Sequence, residues 1–350
     1  MKKNILILVV IFLSAADFVF ARSKAPVDIY DFDGGIIGAR ALGMGNSLTA
    51  VQGAAEASYW NPAALNLQEI NYFTMCLDML RTSRIETEEI FSSENLRGRK
   101  LTYIGFAGAR GGIAFRPLAN NYTEEIFNVN DPENNKSTKE IRINSFTLSV
   151  AQSALASDST TSVGMNMSYL NGNLGITRVE TGKKPVANIS DGHGFSIDWG
   201  TLIKIADNIL LGVMVQNIPG YIYWEDYDKT QLPIFLRGGM SYNIPGLITV
   251  SLEYEKRYYR DTDEKPKFIH IGAEQYLIPN LCLRGGIYGE DLNNNKTVNY
   301  TAGVGFNKDK YYADFGFRKY KQAELNNPEN LEYVYQYLMS LGLPFGGEKQ

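Results

Sequence analysis

Residues 247–255, LITVSLEYE, place Ile248, Val250, Leu252 and Tyr254 on one side of an extended chain and Thr249, Ser251, Glu253 and Glu255 on the other. LPIFLRGGMSYNI and YVYQYLMSLGLPF repeat the pattern. A period of two fits a strand and not a helix, so each run needs one apolar and one polar environment. About fourteen such runs follow one another, including 111–118, 139–152, 160–171 and 191–205. Their connections alternate long and short, roughly 16, 2, 20, 7, 19, 3, 13, 2, 8, 2, 7, 2 and 10 residues. Tight turns at one rim and loops at the other are the pattern of an up-and-down barrel, and Greek-key crossovers give no such asymmetry. The expected fold is all-β, a transmembrane antiparallel up-and-down β-barrel of about fourteen strands.

The polar side of these runs carries Asp198, Arg237, Glu253, His270, Glu274, Arg284, Asp314 and Arg318. An outer-membrane barrel turns such residues into its lumen, where they compensate one another, and gives its apolar face to lipid. A small soluble barrel inverts the arrangement. Alternation alone does not say which face is which, and the choice rests on three further features. The strand count is even. The segments YIYWEDYD, KRYYRDTDE, IYGED and FRKYKQ all follow odd-numbered strands, which gathers Tyr and Trp at one rim as an interfacial girdle. The third is the N-terminus: MKKNILILVVIFLSAADFVFA has a basic start, a short apolar run and small residues before Ala21, the layout of a secretory signal peptide. No later window of 18 apolar residues exists to form a membrane helix.

The expected organisation is a signal peptide over 1–21, an N-terminal hatch over 22–70, a barrel over 71–346 and a short tail over 347–350. The expected location is the outer membrane of a Gram-negative-type bacterium after signal-peptide removal. A net charge of −4 offers no basic footprint for nucleic acid. With two histidines and no G-x-S-x-G, P-loop or C-x-x-C pattern, the chain assembles no catalytic or metal site, and no enzyme activity or cofactor is expected. The loop EDLNNNK spaces Asp291, Asn293 and Asn295 like calcium ligands but has Lys296 where such a loop needs Gly, and reads as a solvated loop. Cys76 and Cys282 read as isolated small residues in strands.

Before the first strand, GARALGMGNSLTAVQGAAEASYWNPAAL is rich in small residues yet contains Leu42, Met44, Leu48, Trp60 and Leu65, which need burial. A plug folded into the barrel mouth meets both demands, with the turn at Trp60, Asn61, Pro62 and Ala63 as the expected hatch and ligand path. GARALGMGNSLTAV followed by WNPAAL resembles the N-terminal signature of the FadL-type long-chain fatty-acid channel superfamily, and more closely its PorV/PorQ-type branch. The pieces LLGVMVQNI, HIGAEQYLIPNLCLRGGIYG and YYADFGFRKY are similar to the second half of those barrels. The resemblance implies a fourteen-stranded outer-membrane barrel whose lumen holds the hatch. For the fatty-acid channels it implies uptake of hydrophobic molecules, released through an opening in the wall. For the PorV-type branch it implies service to type IX secretion. The partners expected are therefore outer-membrane lipid with a hydrophobic small molecule, or alternatively a secretion-system or cargo protein. The chain departs from the pattern in being short, and in ending GGEKQ instead of on a terminal aromatic.

Overall fold

A computed structural model describes residues 24–27, 32, 36–82, 100–128, 130–155, 158–259, 265–308, 311–324 and 327–345. The signal peptide and the C-terminal tail lie outside the described residues. Among the described residues no helix is long and apolar enough to cross a membrane. The strands are β1 (Asn71–Thr82), β2 (Lys100–Gly108), β3 (Gly111–Ile126), β4 (Lys136–Leu155), β5 (Asp158–Val179), β6 (Val186–Ala206), β7 (Ile209–Gln216), β8 (Gly220–Trp224), β9 (Thr230–Gln231), β10 (Ile234–Ile244), β11 (Ile248–Tyr258), β12 (Lys267–Ile278), β13 (Leu281–Gly289), β14 (Asn299–Lys308), β15 (Tyr311–Glu324) and β16 (Asn327–Phe345).

Neighbouring strands pair antiparallel in chain order, and β1 closes on β16 from Asn71↔Phe345 to Thr82↔Tyr335. Fourteen strands form the wall. β7 and β8 occupy one position in it, since β6 pairs with β7 through Trp199↔Val215 and with β8 through Ser196↔Gly220. β8 and the short β9 form a hairpin at the long-loop end of that position.

The faces are now assigned. On β11, Leu252 is 49% exposed and Glu253 1%. Val250 and Tyr254 likewise face outward, and Thr249, Ser251 and Glu255 face the lumen. The apolar face points outward and the polar face is buried inside the barrel.

The segments 119–138 and 172–190, which the sequence suggests are loops, are instead largely strand, because β3 to β6 run on well past the expected ends. On β4 and β5 the reason is an inversion of the alternation along the strand. In the lower part of β4, Phe146, Leu148 and Val150 are exposed and Ser145 and Ser149 buried; further up, Ile141 and Ile143 are buried and Glu140 and Arg142 exposed. β5 changes at the matching level, from buried Asn166 and Ser168 to buried Leu170 and Leu174. Above this level the apolar residues turn inward. They pack there with Leu118, Ile222, Trp224 and Leu232 into a separate core.

Residues 290–296, EDLNNNK, form a turn in which Asp291 Oδ1 accepts from the Asn293 N–H at 2.9 Å. Cys76 and Cys282 are separate and buried.

Candidate functional site

The hatch consists of α1 (Ala39–Gly43), α2 (Ala57–Trp60) and a 3-10 helix (Pro62–Leu67), joined by irregular chain. A backbone with so little regular structure must find hydrogen-bond partners elsewhere when buried, and the wall supplies them. Ser340 Oγ accepts from Ala39 N at 2.8 Å, Thr301 Oγ1 from Gly45 N at 3.1 Å and Glu253 Oε2 from Thr49 N at 2.9 Å. In the other direction, Ser241 Oγ donates to Ala50 O at 2.7 Å and Asn166 Nδ2 to Ser58 O at 2.7 Å. His270 Nδ1 lies 2.8 Å from Gly45 O.

Glycines let the hatch come this close. A Cβ built on Gly112, Gly164, Gly200, Gly212, Gly272, Gly286 or Gly316 falls under 3.0 Å from a hatch atom, in most cases a backbone atom. Each of these glycines sits in a different wall strand. Glycine inside a strand weakens it and signals close approach of another backbone. That signal is visible in the sequence, although it does not say which segment approaches.

The hatch turn is held through Asn61. Its Oδ1 accepts from Ala63 N at 3.0 Å and caps the 3-10 helix, where Pro62 occupies the first turn and needs no donor partner. Its Nδ2 donates to Thr49 O at 2.8 Å within the hatch and to Thr201 O at 3.1 Å in β6. Trp60 Nε1 donates to Ile37 O at 3.0 Å, and the Arg237 guanidinium lies 5.0 Å from the Trp60 ring. Ala63 is fully buried against the wall. All four residues singled out from the sequence thus lie in one buried turn.

The polar residues singled out from the sequence fall into two clusters and two separate sites. In the first cluster Arg237 Nε is 2.7 Å from Glu255, Arg257 Nε is 2.5 Å from Glu255, and Glu253 and His270 face each other across β11 and β12. In the second, Arg284 bridges Glu274 and Asp314 at 2.6 Å each. Asp198 accepts from Asn166 Nδ2 at 3.0 Å and Asn217 N at 2.9 Å, and Arg318 donates to Tyr288 OH at 2.6 Å. His270 and Glu274 share a face of β12 but belong to different clusters.

Two hatch residues escaped sequence reasoning. Arg40 grips Glu274 with Nε at 3.0 Å and Nη2 at 2.9 Å, while its Nη1 donates to Gly53 O at 2.9 Å. It therefore joins two parts of the hatch to the second cluster. Glu56 is buried, and Cys76 Sγ donates to it at 3.3 Å. Burial, with the Asp314 carboxylate adding to it, pushes the Glu56 carboxyl above the usual carboxylate range. Arg40, Glu56, Glu274, Arg284 and Asp314 line a vestibule of about 520 Å³ at the short-turn end.

The wall has a seam beside the hatch. β2 and β3 pair only from Gly108↔Gly111 to Ile104↔Phe115, although β2 continues to Lys100 and β3 to Ile126. Beyond Phe115, Pro117 has no N–H to give, and β3 bulges between Pro117 and Ala119 against β4. Outside the barrel at this level lies an apolar groove of about 720 Å³ lined by Phe73, Ile104, Phe106, Ile113, Phe115 and Phe146 among others. Inside lies a small space bounded by Ser58, Tyr59, Tyr103 and Arg116. Ala114, Thr147 and Ser168 border both, so these residues stand between the outer groove and the inner space.

The sequence matches no known family model and no curated protein. The fold does have solved counterparts. The toluene transporter TbuX of Ralstonia pickettii superposes with a TM-score of 0.62 at 12% identity, covering 91% of this chain and 100% of that one. The Pseudomonas putida toluene transporter TodX gives 0.62 at 12% identity, with 91% and 100% covered. A FadL homologue of Pseudomonas aeruginosa gives 0.56 at 8% identity, with 95% and 100% covered. The chain therefore shares the barrel fold of these FadL-family structures over nearly its whole length.

Proposed function

We propose that this protein is an outer-membrane channel that takes up small hydrophobic molecules past its N-terminal hatch. The observation that carries the reading is the β2–β3 seam: strand pairing stops at Ile104↔Phe115, between an apolar outer groove and an inner space beside Tyr59, next to the hatch turn. A hydrophobic solute gains nothing by crossing an aqueous lumen and gains much by leaving sideways into hydrocarbon. The fold shared with transporters of toluene supports the same chemistry of cargo. In this reading the hatch covers 22–70, the chain is exported with cleavage after Ala21, and Trp60, Asn61, Pro62 and Ala63 border the ligand path. The lumenal ion pairs hold the closed hatch. N-terminal sequencing tests the cleavage, and an intact Met1 refutes it. Uptake of a radiolabelled apolar solute by cells carrying Ala114→Phe tests the path: uptake falls while the folded barrel persists, and undiminished uptake sinks the seam as an exit.

One observation favours a second reading, a PorV-like component of type IX secretion or surface assembly. The extended β3–β6 wall rises above the lipid belt with a polar outer face, which is suited to a protein partner. A protein retained through gentle extraction, with no small molecule in the lumen, replaces the first reading by this one.

A further inference from the structure

The outward faces of the barrel's two halves end differently at the long-loop rim. On β3 and β4, outward basic side chains are matched by carboxylates: Lys136 with Glu124 and Glu133, Arg142 with Glu140. On β11 to β16 four lysines stand at the corresponding rim without a carboxylate. Lys256 follows outward Tyr254 by two residues, Lys267 precedes outward Ile269 by two, and Lys319 and Lys321 continue the outward row of Phe315 and Phe317. Among the described residues none of the four has an ion-pair partner.

Their surroundings are aromatic. Lys256 Nζ is 4.8 Å from the Tyr258 ring, Lys319 Nζ 4.1 Å from Tyr333, and Lys321 Nζ 5.0 Å from Tyr333. Tyr300 and Tyr335 flank Lys319 as its cross-strand partners. Lys256 and Lys267 are themselves direct cross-strand partners. Like charges placed opposite one another repel, and a row of unmatched ammonium groups over tyrosines at a membrane surface is the complement of an anionic headgroup.

We propose that the β11–β16 rim binds lipids whose headgroups carry phosphate, with Lys256 and Lys267 forming one phosphate contact and Lys319 and Lys321 a second. The site is continuous with the apolar belt, so its occupant arrives from the bilayer with acyl chains on Tyr254, Ile269, Phe315 and Phe317. The inference rests on the outer-membrane reading for the orientation of this rim, and not on transport.

The test is native mass spectrometry of the full chain in phosphatidylcholine nanodiscs containing either diphosphorylated lipid A or its enzymatically dephosphorylated form. The wild type retains the diphosphorylated lipid preferentially, by roughly fivefold for each lysine engaged. Lys256→Gln with Lys267→Gln removes one contact and part of the preference; adding Lys319→Gln and Lys321→Gln abolishes it. Lys136→Gln, on the carboxylate-matched side, leaves it unchanged. Equal retention of the two lipids by the wild type, or an unchanged preference in the fourfold variant, overturns the proposal, as does retention of an acidic protein in place of lipid. Heat-modifiable migration confirms that each variant is folded. Uptake of an apolar solute is read on cells carrying the same variants, so failed transport with intact lipid preference counts against the channel alone.

Discussion

Replacing Arg40 by alanine tests whether the hatch is a docked element with its own stability. The side chain makes three hydrogen bonds, two to Glu274 and one to Gly53 O, and it and Glu274 are largely withdrawn from solvent, with 14% and 1% of the side chains exposed. Removing one partner of a buried ion pair costs about 3–5 kcal/mol because the other charge is stranded. Here Glu274 keeps Arg284 at 2.6 Å, so the lower end applies, about 3 kcal/mol. At 1.4 kcal/mol per decade, the population with the hatch undocked rises roughly 100-fold. The barrel strands make no use of Arg40 in their ladders and stay folded. Hydrogen exchange by mass spectrometry reads both at once: amides of 39–45 lose protection by about two decades, while β10–β13 exchange as in the wild type. A change of less than about threefold in 39–45 refutes the idea that this ion pair latches the hatch, and equal loss in the strands refutes the independence of the two parts.

Gly272→Ala, whose new Cβ meets Met44 O in the hatch, displaces α1 and exposes 39–45 to protease, whereas Gly238→Ala, with open space around it, shifts stability by no more than ~0.5 kcal/mol; equal effects contradict the role of the lumenal glycines. Asn61→Ala removes the helix cap and both carbonyl contacts, loosening the hatch turn by roughly 1–2 kcal/mol and altering solute uptake without unfolding the barrel, as judged by circular dichroism and transport. The Glu56 carboxyl, raised by burial, binds its proton more tightly in the docked hatch than in the released one. Its contribution to docking is therefore complete below the ordinary carboxylate range and is lost as pH rises through the raised value. Exchange of 54–60 accordingly quickens with pH in the wild type, and Glu56→Gln flattens that component of the response.

The second half of the barrel is legible because on strands such as β11 the outward side stays apolar from Val250 to Tyr254. There one environment holds along the strand, and Val250, Leu252 and Tyr254 alternate cleanly with Ser251, Glu253 and Glu255. β4 and β5 run past their expected ends because Ile141, Ile143, Leu170 and Leu174 lie on the opposite face from Phe146, Leu148 and Met167, so the apolar set changes sides along each of these two strands. The burial of Trp60, Leu42 and Leu65 was legible from their size, and Asn61 with Pro62 announced a turn. Arg40 was not: a charge in a small-residue segment reads as solvent-facing until the partner on β12 is known, and Glu274 lies 234 residues away in the chain. The β2–β3 seam had one local signal, Pro117 inside a strand, but a proline alone does not show which neighbour is lost.

In the proposed outer-membrane reading, the change of sides along β4 and β5 makes each strand a depth gauge for the membrane surface. Strand parity is continuous while the surroundings reverse, so one added residue near the middle of β4 turns everything on one side of the insertion inside out. Placed just above Ser145, it leaves Phe146 and Leu148 in lipid but sends Ile141 and Ile143 into water and Arg142 into the packed upper core. The paired strand β5, matched to β4 from Lys136↔Val179 to Leu155↔Asp158, then has to bulge at the same height or lose its own partner row. The surface of the bilayer is thus written into the odd-even count of these strands, and the wall above it can lengthen or shorten only two residues at a time.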